Sequence, residues 1–133
     1  MVEGLSHITF IVKDLDQMEQ VLVNVLDAKK IYDSGDKQFS VAKERFYDVG
    51  GIWVAVMIGE PLPTQTYNHV AFKISDDEYD QRLAAIKALG LKVLDGRKRV
   101  AGEARSIYFY DHDNHLFELH SGTLKERLRA YAQ

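Results

Sequence analysis

Two short stretches, SHITF at residues 6–10 and NHVAF at residues 68–72, resemble each other. Each places a histidine second in a run rich in β-branched and aromatic residues, which is typical of a β-strand. The residues after each stretch follow the same order, a helix and then three strands. A repeat of this length indicates a duplicated unit whose sheet face is buried by pairing with its twin. The sequence therefore predicts an α+β fold built from two βαβββ modules.

Hydrophobic spacing and turn residues give the approximate bounds of these elements. Strands are predicted at residues 5–12, 28–32, 39–48 and 52–58 in the first module, and at 67–74, 91–94, 106–110 and 115–120 in the second. Helices are predicted at residues 14–27, 75–89 and 123–132. Both prolines fall in EPLPTQT, residues 60–66, which indicates a linker. We expect one domain over residues 1–133, with modules at 1–60 and 66–121 and a C-terminal helix.

The composition excludes several classes of protein. The 133 residues are 46% hydrophobic and 28% charged, which is ordinary for a soluble enzyme. A net charge of −3 argues against a nucleic-acid partner. No apolar run approaches about 18 residues and the N-terminus has no signal-peptide pattern, so we predict a cytoplasmic protein with no membrane partner. Because the chain has no cysteine, any metal must be held by His, Asp or Glu.

Candidate metal ligands come from three strands. His7 and His69 occupy the same position in the two repeats, and a pseudo-twofold axis would bring their imidazoles together as ligands for a divalent metal. The stretch SIYFYDHDNHLFELH, residues 106–120, supplies a carboxylate. Its alternation places Glu118 among apolar neighbours on a strand predicted to be buried, where a carboxylate needs a partner. The alternatives are packed or surface histidines and a glutamate on a solvated edge strand.

The other polar groups of this stretch are given less weight. Asp111, His112, Asp113 and Asn114 fit a tight hairpin turn. His115 faces away from Glu118, whereas His120 shares its face but lies closer to the end of the strand. We expect these residues to be structural or solvated.

A basic loop, GRKRVAGEAR at residues 96–105, precedes the hairpin. It leads into Ser106 and Tyr108, whose hydroxyls share one face of the strand. With Arg127 on the last helix, these groups suit a phosphate or phosphonate. The loop lacks the P-loop pattern of nucleotide-binding proteins, and the ordinary alternative is a solvated loop.

Taken together, these residues resemble the fosfomycin-resistance proteins of the vicinal oxygen chelate (glyoxalase/bleomycin-resistance-like) superfamily. The segments LSHITFIVKDL (5–15), QTYNHVAF (65–72) and RSIYFYDHDNHLFELHSGTLKERL (105–128) carry the resemblance, which covers nearly the whole chain. FSVAKERFY (39–47) resembles the FosX-type epoxide hydrolase branch, in which a glutamate at the position of Glu44 is the general base. The thiol-transferase branches do not place a glutamate there.

The resemblance implies a cupped mixed sheet around a divalent metal, with Mn(II) as the expected ion, in a homodimer whose chains exchange modules. His7 of one chain would join His69 and Glu118 of the other as metal ligands. Glu44 would activate the water that opens the epoxide of fosfomycin to an inactive vicinal diol, and Thr9 would stabilise the oxyanion. The residues implied to bind the substrate are Tyr67, Lys98, Ser106, Tyr108 and Arg127. The alternatives are a fosfomycin thiol (glutathione) transferase and a non-catalytic protein that sequesters a small ligand.

Overall fold

Two four-stranded sheets of the same topology organise the computed structural model, which describes residues 1–37, 41–96, 99, 101 and 103–133. The chain divides into two units. Unit 1 contains Met1–Thr64 and His112–His115, and unit 2 contains Gln65–Asp111 and Leu116–Gln133. None of the helices within the described residues is long and apolar enough to cross a membrane.

Unit 1 holds the first βαβββ module. Its elements are β1 (His7–Val12), α1 (Leu15–Leu26), β2 (Lys29–Asp33), β3 (Glu44–Val49) and β4 (Ile52–Ile58). The strand order is β1-β4-β3-β2, with β1 parallel to β4 and the other neighbours antiparallel. The strand β1 therefore lies at one edge of its sheet.

Unit 2 repeats this arrangement. Its elements are β5 (His69–Lys73), a 3-10 turn (Asp76–Glu78), α2 (Tyr79–Ala88), β6 (Val93–Leu94), β7 (Ser106–Tyr110), β8 (Leu116–His120) and α3 (Leu124–Tyr131). The order β5-β8-β7-β6, with β5 parallel to β8, matches that of unit 1. The predicted α+β fold and its internal repeat are confirmed.

The hydrophobic pattern of α1 explains which face of the first sheet is covered. Asp14 caps the helix by accepting a hydrogen bond from the backbone N–H of Gln17 at 3.1 Å. The apolar stripe of α1 is fully buried, as is the face of the sheet that carries Val12, Val54 and Tyr47. Because side chains alternate along a strand, the opposite face carries the odd-numbered residues of β1 and the even-numbered residues of β3.

The same alternation divides the second sheet. Phe109, Phe117 and Leu119 are fully buried on one face, together with Ile86 of α2. The register pairs Ala71 with Glu118 and Tyr108 with Glu118, so these three side chains share the other face. The polar residues of β5, β7 and β8 are thereby collected on the face opposite α2.

One predicted strand begins later than expected. The sequence predicted a strand at residues 39–48, but β3 begins at Glu44, and residues 41–43 are not in a strand. The reason is the length of its partner: Glu44 pairs with Met57, and β4 ends at Ile58, whose N–H bonds to the carbonyl of Lys43 at 3.1 Å. Residues 39 and 40 lie outside the described part of the chain.

The hairpin turn has the structural role expected of it. Asn114 adopts the left-handed conformation (φ 69°) that a tight turn requires. Asp113 is 2% exposed, and its carboxylate accepts the backbone N–H of Lys13 at 3.1 Å. The turn contributes to the packing of unit 1 rather than to a solvated surface.

Candidate active site

A histidine and a buried carboxylate meet on the polar face of unit 2. His69 is the first residue of β5, and its Nε2 lies 3.0 Å from Oε1 of Glu118. Glu118 is 4% exposed, as its position among apolar neighbours on β8 predicted. A carboxylate removed from water in this way is stable only beside a positive charge, a proton donor or a metal ion.

The hydrogen bonds of His69 fix which nitrogen is available. Its Nδ1 lies 2.7 Å from the carbonyl oxygen of Tyr67, and a carbonyl can only accept, so Nδ1 carries the proton. In the neutral ring the lone pair is then on Nε2, which faces the carboxylate of Glu118. Two electron-pair donors at this distance need a proton or a cation between them, and in this tautomer the lone pair of Nε2 is available to bind a metal.

The second carboxylate oxygen of Glu118, Oε2, has a hydrogen-bond partner of its own. Ser106 lies 2.6 Å from Oε2 of Glu118 and 2.7 Å from Nδ1 of His120. Burial lowers the pKa of His120 below its usual 6.5, so the ring is neutral at neutral pH. Since Ser106 has one proton to donate, the consistent chain runs from His120 Nδ1–H to Ser106 and from Ser106 to Glu118.

A cavity of about 330 Å³ opens beside these groups. His69, Glu118 and His120 line it together with Arg127 at the start of α3. Gly122 also lines the cavity, and a Cβ there would lie 2.5 Å from Cβ of Ala104. The wall therefore needs a residue without a side chain at this position.

Two tyrosines lie close to His69. The ring of Tyr67 is 4.9 Å from that of His69, and the ring of Tyr108 is 5.5 Å from it. Burial, a hydrogen bond with Tyr67 and the charge of Glu118 raise the pKa of Tyr108 to about 12. The hydroxyl of Tyr108 therefore stays protonated at neutral pH and can donate to an anion.

The remaining predicted groups lie in unit 1, on the sheet face opposite α1. His7 and Thr9 are on β1, Glu44 begins β3, and β4 lies between these strands. The ring of His7 stacks on Trp53 with centroids 4.2 Å apart. This face is exposed in the single chain at His7, Thr9 and Trp53, whereas Glu44 is only 8% exposed.

The backbone N–H and the carbonyl of Glu44 are both hydrogen-bonded to one buried serine. Ser34 accepts the N–H of Glu44 with its hydroxyl and donates its own N–H to the carbonyl of Glu44, each at 3.0 Å. Ser34 is 7% exposed. The position of the predicted base is therefore fixed by its main chain as well as by the sheet.

The structure brings together some of the predicted residues and separates others. One group, in unit 2, consists of Tyr67, His69, Ser106, Tyr108, Glu118 and Arg127. The other, in unit 1, consists of His7, Thr9 and Glu44. Within the part of the chain that is described, no three His, Asp or Glu side chains are grouped so that they could hold a metal. Lys98 lies outside the described residues.

Sequence reasoning gave too little weight to His120 and did not single out Ser34 or Glu103. His120 is linked to Glu118 through Ser106, its partner across the β7–β8 ladder, and its Nδ1 also lies 3.5 Å from Oε2 of Glu118. The alternation that placed His120 on the face of Glu118 was the available signal. For Ser34, a serine in a turn gave no sign that it would bond to a residue ten positions later.

Comparison with known proteins identifies the family of the chain. Residues 4–119 match the Glyoxalase/Bleomycin resistance protein/Dioxygenase superfamily. The fosfomycin resistance protein FosX of Listeria innocua is 53% identical over 131 residues, covering 98% of each chain. The chain belongs to the fosfomycin-resistance proteins of this superfamily. The metallothiol transferase FosB of Lysinibacillus sphaericus is 37% identical, over 98% of this chain and 90% of that one.

Solved structures show the same fold. A mutant of FosX from Listeria monocytogenes, complexed with Mn(II) and 1S,2S-dihydroxypropylphosphonic acid, superposes with a TM-score of 0.89 at 50% identity and covers 98% of this chain and 99% of that one. FosX from the same organism, complexed with Mn(II) and a sulfate ion, gives 0.90 at 51% identity with the same coverage. The predicted vicinal oxygen chelate fold is confirmed.

Proposed function

We propose that this fosfomycin-resistance protein is an epoxide hydrolase, which converts fosfomycin to an inactive vicinal diol with the help of a bound divalent metal. Glu44 carries the proposal. Hydrolysis needs a base for the attacking water, and a carboxylate held at 8% exposure on the polar face of the sheet supplies one. The 53% identity to FosX, against 37% to a metallothiol transferase, supports the same choice.

The proposed metal ligands are His7, His69 and Glu118. Two imidazoles and one carboxylate form a three-donor set that leaves coordination positions open for a substrate. The lone pair of His69 and the buried carboxylate of Glu118 fit a cation, and the FosX structures that contain Mn(II) support that metal. When bound, Mn(II) supplies Lewis acidity at the epoxide oxygen.

The protein's own groups account for the transfer of protons. The carboxylate of Glu44 accepts a proton from water as the water oxygen forms a bond to the ring carbon that bears phosphorus. The bond from that carbon to the epoxide oxygen breaks, and the oxygen keeps the electron pair. Thr9 donates a hydrogen bond to this oxygen, which then takes up a proton from solvent to complete the diol, and Glu44 releases the proton that it accepted.

The phosphonate would be held by groups of unit 2. Arg127 lines the cavity beside Glu118, and Tyr108 keeps its proton because its pKa is raised to about 12. We assign Tyr67 and Lys98 to the same role, whereas the hydroxyl of Ser106 is bonded to Glu118. The local positive charge favours an anionic substrate, although the chain as a whole is acidic.

We also propose that the working form is a homodimer with shared sites. The proposed ligands are divided between the two units, His7 in one and His69 with Glu118 in the other. The polar face of unit 1 exposes Trp53 by 39%, as a surface covered by a second copy would. The cytoplasmic location stays a prediction.

Phosphorus NMR tests the reaction directly. Purified protein is incubated with Mn(II) and fosfomycin, first without a thiol and then with glutathione. We expect the signal of the diol to appear in both samples at the same rate. An adduct that forms only with the thiol would identify a transferase, and an unchanged substrate signal in both samples would indicate a protein that only binds the ligand.

The role of Glu44 is tested by the variant Glu44→Gln, which keeps the size of the side chain and removes its basicity. We expect the rate of hydrolysis to fall by at least about 100-fold, since a general base contributes that much or more. The affinity for Mn(II), measured by EPR, should not change. Glu60→Gln, at an exposed position in the linker, is the control. Hydrolysis at the wild-type rate in Glu44→Gln would remove this residue from the mechanism.

A further inference from the structure

A second buried carboxylate lies near the cavity of unit 2. The side chain of Glu103, in the loop before β7, is 1% exposed. Burial of an ionised carboxylate costs several kcal/mol unless other charges or hydrogen bonds compensate for it. A glutamate in a surface loop has no structural need to be buried, so its surroundings indicate its role.

Among the described residues, three side chains approach one oxygen of Glu103. The hydroxyl of Tyr131 donates to Oε1 at 3.1 Å. Nη1 of Arg99 lies 3.6 Å from Oε1, and Nε of Arg127 lies 3.8 Å from it. Arg127 and Tyr131 are one turn apart on α3, so the carboxylate joins this helix to the loop that carries Arg99.

A further hydrogen bond ties the helix to the same loop. The side-chain amide of Gln133 donates to the carbonyl oxygen of Ala101 at 2.8 Å. The end of α3 is therefore connected to the loop at two places, by Tyr131 and by Gln133. This geometry holds Arg127 at the wall of the cavity.

The guanidinium group of Arg127 keeps N–H groups for a ligand. Arg127 faces Glu103 through Nε, while its side chain also lines the cavity. Nη2 of Arg99 lies 3.5 Å from the hydroxyl of Tyr108 and 3.9 Å from Oε2 of Glu118, so Arg99 places positive charge beside both groups. Its buried Nη1 has no hydrogen-bond partner among the described residues. The distances from the guanidinium groups to Glu103 exceed those of hydrogen bonds, so charge attraction holds the arginines without using all of their donors.

We propose that Glu103 is a positioning residue for the anion site: its buried carboxylate holds the guanidinium group of Arg127 so that its free N–H groups meet an anionic ligand, and it holds Arg99 beside the hydroxyl of Tyr108. Two guanidinium groups side by side repel each other, and a carboxylate between them offsets this repulsion before the ligand arrives. The identity of that ligand as a phosphonate rests on the proposed function, whereas the binding of a small oxyanion rests on this geometry alone.

The competing interpretation is that Glu103 only neutralises the positive charge of the arginines, which would otherwise attract the ligand. The two interpretations predict opposite changes in affinity. Loss of the charge at residue 103 should weaken anion binding if Glu103 positions the arginines. It should strengthen anion binding if Glu103 screens them.

The variant Glu103→Gln in the Mn(II)-loaded protein separates them, with inorganic phosphate as the probe. We expect the dissociation constant for phosphate, measured by calorimetry, to rise about tenfold. The KM for fosfomycin should rise similarly, while kcat changes less and the Mn(II) affinity from EPR stays at the wild-type value. Glu78→Gln, which alters an Arg–Glu pair with Arg82, is the matched control. Phosphate binding that is unchanged or tighter in Glu103→Gln would overturn the proposal.

A second variant keeps the test decisive if Glu103→Gln does not fold. Tyr131→Phe removes the hydrogen bond to Oε1 and retains both charges, and we expect a smaller rise in the phosphate dissociation constant, about threefold. Unchanged phosphate binding in that variant would contradict the proposal. Because phosphate binding needs no turnover, a wild-type protein that binds phosphate but does not hydrolyse fosfomycin would reject the proposed function and leave this inference standing.

Discussion

Ser106 has one hydroxyl proton and two neighbours within hydrogen-bonding distance, Glu118 and His120. The sequence predicted that Ser106 binds a phosphonate, because its hydroxyl shares a strand face with that of Tyr108. In the structure the hydroxyl is used within the protein, on the oxygen of Glu118 that faces away from His69. A role in orienting the carboxylate follows directly from these contacts, and direct contact with a phosphonate would require the hydroxyl to turn.

Substitution of Ser106 distinguishes these roles. In Ser106→Ala we expect the affinity for Mn(II), measured by EPR, to fall about tenfold, which is typical when the hydrogen-bond partner of a metal ligand is lost. His120→Asn keeps an N–H donor near the position of Nδ1 and should retain most of the affinity, whereas His120→Leu should lose it as Ser106→Ala does. If Ser106→Ala raised only the KM for fosfomycin and left Mn(II) affinity intact, the hydroxyl would belong to the substrate.

The positions of single residues could be predicted where the alternation of side chains along a strand determines which face they occupy. This alternation placed Glu118 and His115 on opposite faces of one strand, with Glu118 among apolar neighbours, and it placed His7 and Thr9 on the same face. It could not give the register between β7 and β8, which aligns Ser106 with His120 and Tyr108 with Glu118. Contacts that depend on cross-strand register are fixed only when the whole sheet forms.

At the scale of elements, a charged network joins α1, β2 and β3 on the helix-covered side of unit 1. Arg45 lies 2.8 Å from Asp16 and 3.1 Å from Asp33. Glu19 accepts a hydrogen bond from the buried hydroxyl of Tyr47 at 2.7 Å. Arg45 and Tyr47 face α1, so their neighbour Glu44 faces the other side. The network therefore fixes the strand that presents the proposed base.

The acid stability of unit 1 should depend on Glu19. Burial by itself would raise its pKa, but hydrogen bonds from Tyr47 and Lys30, with the charge of Arg45, outweigh burial and hold the pKa below its usual 4.5. A folded pKa below the unfolded one contributes stability above about pH 4.5, and this is lost as the pH falls through the folded value.

We expect Glu19→Gln to lower the free energy of unfolding by about 1 kcal/mol at pH 7, as measured by urea denaturation. The difference from the wild type should shrink as the pH drops below 4, because protonated Glu19 then resembles glutamine. Asn24→Ala, on the exposed side of α1, is the control for a change in the helix alone. A difference that stays constant from pH 7 to pH 3 would show that the charge of Glu19 is not the cause.

At the scale of the whole molecule, the internal repeat was the feature most readily predicted from the sequence. His7 and His69 each begin the first strand of a module, and both strands are edges of sheets with the same order. The type of each element, helix or strand, followed from the period of its hydrophobic residues, because burial of one face requires a different period in a helix and in a strand. The assembly could not be derived in this way, since one chain's periodicity carries no information on which copy supplies each half of a site.

A mixed dimer tests the proposed shared site. If His7 of one chain serves the His69 and Glu118 of its partner, a pair made of His7→Ala and Glu118→Gln chains contains one intact site and one site with two defects. Each variant alone has no intact site. The two chains are co-expressed with different affinity tags, the mixed pair is isolated through both tags, and its hydrolysis of fosfomycin is followed by phosphorus NMR. We expect about half of the wild-type activity per dimer, because one of two equivalent sites is complete.

The matched control pairs His69→Ala with Glu118→Gln. Both changes then fall on unit 2 groups that the shared-site arrangement draws from the same chain, so every site in this mixed dimer is defective and no activity should return. Recovery in the first pair and none in the second can arise only if His7 acts across the interface. Absence of recovery in an isolated mixed pair, or failure of the two tagged chains to associate at all, would place the complete site within one chain and reject the module exchange.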